Sequence, residues 1–234
     1  MAVRSDGLQT EKRILQACVR LFLENGYRRT TMLQIFKEAQ VSSGSFQNLF
    51  RSKDGVLLEL VDFMFENQFS TARSVAGAEL PPVYVYAAET ALQITLTELN
   101  ENLREIYLEA YTQEHLLDYI QRATARELYR IFGPYQPELT ERDFYELEFG
   151  SAGLMRGYMA NPCTAEFPLE HKLNKFVTLA LRGYKVPEDE VQKVLLFLAG
   201  LDMRGIAQSV MEKLFRQLAM RYEFSLDGLL PPEE

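Results

Sequence analysis

The chain has 234 residues, 47% hydrophobic and 25% charged, with a net charge of −8. That length suits one or two packed domains. No apolar run approaches the ~18 residues of a membrane span, Met1 to Thr10 carries Arg4 and Asp6 but no apolar leader region, and Cys18 and Cys163 offer neither a disulfide framework nor metal-ligand spacing, so a cytoplasmic protein is expected.

A negative total argues against nucleic acid, but the charge is uneven. Residues 1–53 hold nine Lys/Arg against four Asp/Glu, a net +5, which leaves −13 for the rest. A basic head on an acidic body suits a small DNA-reading domain joined to something else.

In chain order, Ile14, Ala17, Cys18, Leu21 and Phe22 form one apolar stripe, which predicts a first helix. Asn25-Gly26 ends it, with Gly26 free to take a positive φ. Thr31 and Gln34 have the spacing of a capping box, so a short second helix is predicted from Thr31 to about Ala39. Val41-Ser42-Ser43-Gly44 is a turn, and Ser42 can cap a third helix of about eight residues. Ser52 caps a longer fourth helix with Val56, Leu57, Leu60, Val61, Met64 and Phe65 among its apolar positions. Gly77 to Pro82 breaks the pattern, since two prolines cannot continue a helix. Helices follow at roughly 83–112, 114–132, 140–160, 168–184 and 188–222, punctuated by Gly133-Pro134, Pro137, Asn161-Pro162, Pro168 and Pro187. No segment alternates as a half-buried strand does. The fold class read from the pattern is all-α: a three-helix head over 1–53, a helical body over 54–228, and a frayed tail over 229–234.

Two short helices joined by a turn, the second with a polar face, make a helix-turn-helix. On the third helix Phe46, Leu49 and Phe50 gather on one side, while Gly44, Gln47 and Asn48 gather on the other. Gln and Asn can make bidentate contacts with adenine in a major groove. Ser43 and Gly44 lack bulk, so backbone can approach phosphate, with Ser42 and Ser45 flanking them. Thr30 and Thr31 at one helix start, Lys53 at another, and Arg28 and Arg29 before the second helix supply further groups suited to phosphate.

The run from Ile14 to Leu58 resembles the DNA-binding domain of tetracycline-repressor-type (TetR) regulators. Tyr27 after Gly26, Thr30-Thr31, Ile35, Ala39, Val41-Ser42, Gly44, Phe50 and Ser52-Lys53 carry the resemblance. Three positions depart from it. Gln40 stands where the family usually has Gly, and Gln47 and Leu49 stand where it usually has aromatic or His residues. The first must adopt a left-handed turn at some cost; the others bear on operator sequence and affinity rather than on fold.

The resemblance implies that the remainder is a ligand-binding and dimerisation domain, which makes the partners a double-stranded DNA operator, a small-molecule effector and a second copy of the chain. Helical bundles hold pockets between their helices, and all but one of the 12 Tyr fall in this region. Leu103, Tyr107 and Tyr111 share a helix face that reads as a pocket wall, with Tyr158 added from a later helix. Phe63, Met64 and Asn67 on the fourth helix are the next candidates, because a ligand there could move the head directly. For dimerisation through C-terminal helices, the Gly/Ala-rich run Phe149 to Tyr158 and the apolar run Leu195 to Met203 stand out.

An enzyme is the first rival reading. His115 and His171 have no neighbours that would complete a metal set, and HExxH, CxxC, GxSxG and phosphate-binding Gly loops are absent from the sequence. No catalytic residue, cofactor or metal is expected. A second rival is a ligand-binding or protein-interaction module whose DNA head has degenerated, motivated by Gln40, Gln47 and Leu49. Against it stands the retained set Thr30, Thr31, Gly44 and Lys53.

Overall fold

The structure, a computed structural model, describes residues 2–63 and 80–222. Met64, Asn67 and the tail at 229–234 lie outside the described residues. Within them the chain is all-helical apart from turns and one short 3-10 segment, Gly133–Tyr135.

Three helices form the head: α1 (Ala2–Asn25), α2 (Met32–Ala39) and α3 (Ser43–Phe50). α1 begins well before Ile14, the first residue of its predicted stripe. Gly26 ends it at φ +88, and the Thr31–Gln34 capping box forms in both directions. Ser42 caps α3 by accepting from the Ser45 N–H at 3.1 Å. Phe46 and Phe50 pack inward, with the Phe36 and Phe46 rings edge to face at 5.6 Å. Leu49 was expected beside them, yet it is 39% exposed.

Helix α4 covers 53–63 among the described residues. The body continues through α5 (Pro82–Leu99), α6 (Glu101–Ala110), α7 (Glu114–Phe132), α8 (Glu141–Ala160), α9 (Leu169–Gly183), α10 (Glu188–Ala199) and α11 (Met203–Tyr222). Two predicted helices are each divided. The run at 83–112 breaks at Asn100, which turns extended (φ −154, ψ 135) and caps α6 by accepting from the N–H groups of Asn102 and Leu103. The run at 188–222 breaks at Gly200–Asp202, where Asp202 accepts from the Gly205 N–H at 3.0 Å. In both, a polar cap overrides an apolar periodicity that runs straight through it.

α5 is the central helix. It is buried on most of its turns, from Val83 to Thr97, and its threonine hydroxyls are satisfied locally. Thr90, Thr95 and Thr97 donate to carbonyls three or four residues back, at 2.7–2.9 Å for the shortest bond of each. A buried ion cluster ties α5 to α6, α9 and the loop after α8. Lys172, 0% exposed, donates to Glu98 Oε1 at 2.6 Å and to the Asn161 carbonyl, while Glu98 Oε2 accepts from Arg104 Nη2 at 2.9 Å and the Cys163 N–H at 3.0 Å. Burial pushes the Glu98 carboxyl up, but Lys172, the Cys163 N–H and Arg104 together hold it below the usual carboxylate range.

Candidate nucleic-acid interface and interior cavity

The outer surface of the head divides in two. On one side Ser42, Ser43, Gly44, Gln47 and Asn48 are exposed along α3, with Thr31 exposed at the start of α2 and Ser45 half-buried between them. Among the described residues the Gln47 and Asn48 side chains make no hydrogen bond to another part of the protein. Their amides stand on a short helix whose Phe46 and Phe50 fix its rotation against the core. That is what a recognition helix needs: a rigid seat and a polar outer edge.

On the other side, four residues expected at phosphate make contacts within the protein. Thr30 is 1% exposed and its hydroxyl donates to the carbonyls of Gly26 (2.7 Å) and Leu21 (3.1 Å), so it braces the turn after α1. Lys53 lies over the Tyr27 ring at 4.2 Å and donates to the Tyr27 and Thr30 carbonyls at 2.6 and 3.0 Å. It adds a charged donor to the two carbonyls of the turn, the Tyr27 one already accepting from the Thr30 N–H. Arg28 turns toward the body, its Nε 2.5 Å from Glu109 and 3.8 Å from Glu105. Arg29 donates to the Asn25 carbonyl and to Asn102 Oδ1 at 3.3 Å. Thr30 is buried in these contacts and Lys53 half-buried, while Arg28 and Arg29 stay exposed.

These contacts form a joint between head and body centred on α6. Asn102 Nδ2 donates to the Leu23 and Glu24 carbonyls at 2.7 and 3.2 Å, closing the last turn of α1. Glu105 accepts from the Arg28 N–H at 2.9 Å. Gly26 makes this approach possible: a Cβ there would stand 2.4 Å from Glu105 Oε2. Tyr27 donates to Asp54 at the start of α4, and Gln113 Nε2 bridges Asp54 (3.2 Å) and Glu109 (3.3 Å). Tyr119 on α7 donates to Asp62 farther along α4.

The body holds a cavity of about 50 Å³ between α5, α7, α8 and the end of α6. Its walls include Tyr86, Tyr111, Met155 and Phe176, with Glu89, Gln93, Thr124, Glu148 and Ser151 supplying polar groups. Tyr111 Oη donates across it to Gln93 Oε1 at 3.1 Å. Below it, Tyr184 stacks on Phe132 at 4.1 Å and donates to Ser151 Oγ at 2.8 Å, and Ser151 in turn donates to Glu148. Burial pushes the Glu148 carboxyl up to about 7, although the hydroxyls of Ser151, Thr124 and Tyr184 pull it the other way.

Of the residues expected to line a pocket, Tyr111 does so. Phe63, Leu103 and Tyr107 are buried in the core beside it, and Tyr158 packs on Phe176 at 5.5 Å. The Tyr107 hydroxyl is buried with no partner among the described residues. Sequence reasoning missed the α5 stripe of Tyr86, Glu89, Thr90 and Gln93. The signal was present, as polar residues at i, i+3, i+4 and i+7 in an otherwise apolar helix.

Residues 14–60 match the sequence profile of bacterial regulatory proteins of the tetR family. Over that stretch the head is similar to the DNA-binding part of tetR-family regulatory proteins. The matched stretch ends inside α4. Among curated proteins, an uncharacterized HTH-type transcriptional regulator of Bacillus subtilis, YuxN, is 30% identical over 97 residues, 42% of this chain and 31% of its own. The HTH-type transcriptional regulator HbdR of Aromatoleum sp. is 34% identical over 93 residues, 37% of this chain and 41% of its own. A third, YvkB of Bacillus subtilis, is 34% identical over 68 residues, 29% of this chain and 36% of its own. This chain thus spans between about a third and two fifths of the length of the curated relatives it matches. The crystal structure of a gamma-butyrolactone receptor (ArpA-like protein) aligns over 89% of this chain and 99% of that one, at 17% identity and a TM-score of 0.42.

Proposed function

We propose that this protein is a ligand-responsive transcriptional regulator that binds a palindromic DNA operator as a homodimer and represses until a small molecule releases it. The observation that carries the reading is the outward polar edge of α3, with Gln47 and Asn48 exposed on a helix locked by Phe46 and Phe50. The reading seats that edge in the major groove. Thr31, Ser42, Ser43 and Gly44 then approach phosphates, and exposed Leu49 supplies an apolar contact for a thymine methyl. The reading involves no catalytic step. Among the described residues no single helix is long and apolar enough to cross a membrane.

The proposed dimer face lies on the later helices. Gly150, Gly153 and Gly157 face open space along α8, Phe149 beside them is 51% exposed, and Leu196 on α10 is 75% exposed. Two heads held by such a face must sit about 34–36 Å apart to read successive half-sites.

Release follows from α6. Its C-terminal end carries Tyr111 into the cavity, and its other turns carry Asn102, Glu105 and Glu109 against the head. The cavity has room for roughly three waters, far less than the ~300 Å³ or more that a drug-sized ligand occupies. An entering effector must therefore displace its walls. A shift of Tyr111 moves a helix only ~15 Å long, and the joint passes that shift to the head. Effector and DNA weaken each other by the same factor, as linkage requires.

The test is fluorescence anisotropy with DNA from upstream of the protein's own gene, against scrambled DNA, across a salt series. Sequence-preferring, salt-sensitive binding is expected. Gln47→Ala should relax specificity by ~1–3 kcal/mol. Absence of binding even at low salt would reject the reading in favour of a ligand-binding body with a degenerate head.

A further inference from the structure

The cavity's lining has a marked charge imbalance. Glu89, Glu127 and Glu148 line it, and no Lys, Arg or His does so among the described residues. Glu127 is paired with Arg130 at 2.5 Å, outside the lining, and Arg130 also acts on Glu89. Glu148 differs from both. It is 7% exposed, and the groups that face it are neutral: Thr124 on α7, Ser151 on its own helix, and the tyrosines Tyr86, Tyr111 and Tyr184 from α5, α6 and the end of α9. A buried carboxylate answered only by hydroxyls is costly in a purely structural role, since a buried charge is ordinarily paired. Aromatic walls add the quadrupole attraction that favours cations over neutral or anionic groups.

We propose that the cavity accepts a cationic, amine-bearing aromatic or amphiphilic molecule, with Glu148 as counter-ion to its ammonium group and the Tyr86, Tyr111 and Phe176 walls around its apolar part. The proposal rests on the effector-domain reading above and names the chemistry of that effector. The bound cation supplies the charge partner that Glu148 lacks in the empty protein. An anionic ligand would meet the same carboxylate without compensation. Because Glu148 titrates near neutrality, binding of the cation also drives off a proton and strengthens with pH.

The test uses three probes of one shape, phenethylammonium, 2-phenylethanol and phenylacetate, titrated into the full chain by calorimetry. At pH 8 the cation should bind at least ~tenfold tighter than the alcohol, and the anion most weakly. Glu148→Gln should remove about tenfold from the cation while leaving the alcohol within about twofold, and Glu148→Asp should restore part of the preference. Wild-type affinity for the cation should fall roughly tenfold between pH 8 and pH 6, where the amine itself stays charged. Equal or tighter binding of the alcohol or anion, no measurable binding of the cation, or indifference to Glu148→Gln would overturn the proposal. Anisotropy on operator DNA separates it from the wider reading. Glu148-dependent binding of the cation without any change in DNA affinity upholds the cavity chemistry and rejects its coupling to DNA. DNA release by an anion that wild type binds does the reverse.

Discussion

Replacing Glu148 with Gln should make the protein more stable, and by an amount that depends on pH. The folded carboxyl titrates at about 7, against an ordinary value of 4.5. Below the unfolded value both states hold the proton, so the side chain contributes no difference. Between the two values the unfolded chain loses its proton while the folded chain keeps it, and wild-type stability falls as pH rises. Each pH unit in that window costs about 1.4 kcal/mol, so the full penalty above neutrality is about 3 kcal/mol. Gln keeps the shape and the hydroxyl partners without the charge. Glu148→Gln should therefore exceed wild type by about 3 kcal/mol at pH 8, roughly 5–10 °C in melting temperature for a chain of this size, and by only about 1 kcal/mol at pH 5. Urea and thermal unfolding of both proteins at the two pH values measure this directly, since every other titrating group cancels between them. A gain that is the same at both pH values, or a loss at pH 8, would refute the burial argument. Stability given up at a functional site is a familiar pattern.

Three further outcomes follow from the packing. Lys172→Met strands Glu98 with Arg104 and one backbone N–H, and should cost about 2–4 kcal/mol; Glu98→Gln in the same chain should recover part of it, and strict additivity in the urea midpoints would count against a coupled pair. Because Glu98 is held below its ordinary range, its contribution is present at neutral pH and is lost as pH falls through its folded value, so the gap between Lys172→Met and wild type should narrow in acid. Gly26→Ala meets Glu105 Oε2 at 2.4 Å on a backbone at φ +88, and should destabilise by about 2 kcal/mol while loosening the joint, read as a smaller change in DNA affinity on adding ligand. Gln40→Gly relieves a left-handed residue at φ 53 and should raise stability by up to ~1 kcal/mol in thermal melts; a loss would mean that the added unfolded-state entropy outweighs the relief.

Much of the head was legible in the sequence because its signals are local. The capping box at Thr31, the N-cap at Ser42 and the glycine at 26 each depend on residues within one helical turn, and each appears as read. Gln40 takes the left-handed turn that its place before Val41 requires. The departures have the opposite character. Thr30, Arg28 and Lys53 have the residue types of phosphate contacts, and only the fold shows that they also bond carbonyls and carboxylates of α6 and the close of α1. The breaks at Asn100 and Gly200 follow the same logic, since one side-chain cap decides where a helix ends and periodicity does not register it.

The sequence by itself determined the helical class, the head's caps and turn, and the exposed polar edge of α3, because helical periodicity and capping are short-range. Tertiary structure decided which charged groups became scaffold, where the cavity lies and which acid stands in it. Glu148 is one of several acids on α8, alike in sequence; only the packing of α5, α7 and the end of α9 against that helix removes this one from water, and burial is what gives a carboxylate its chemistry.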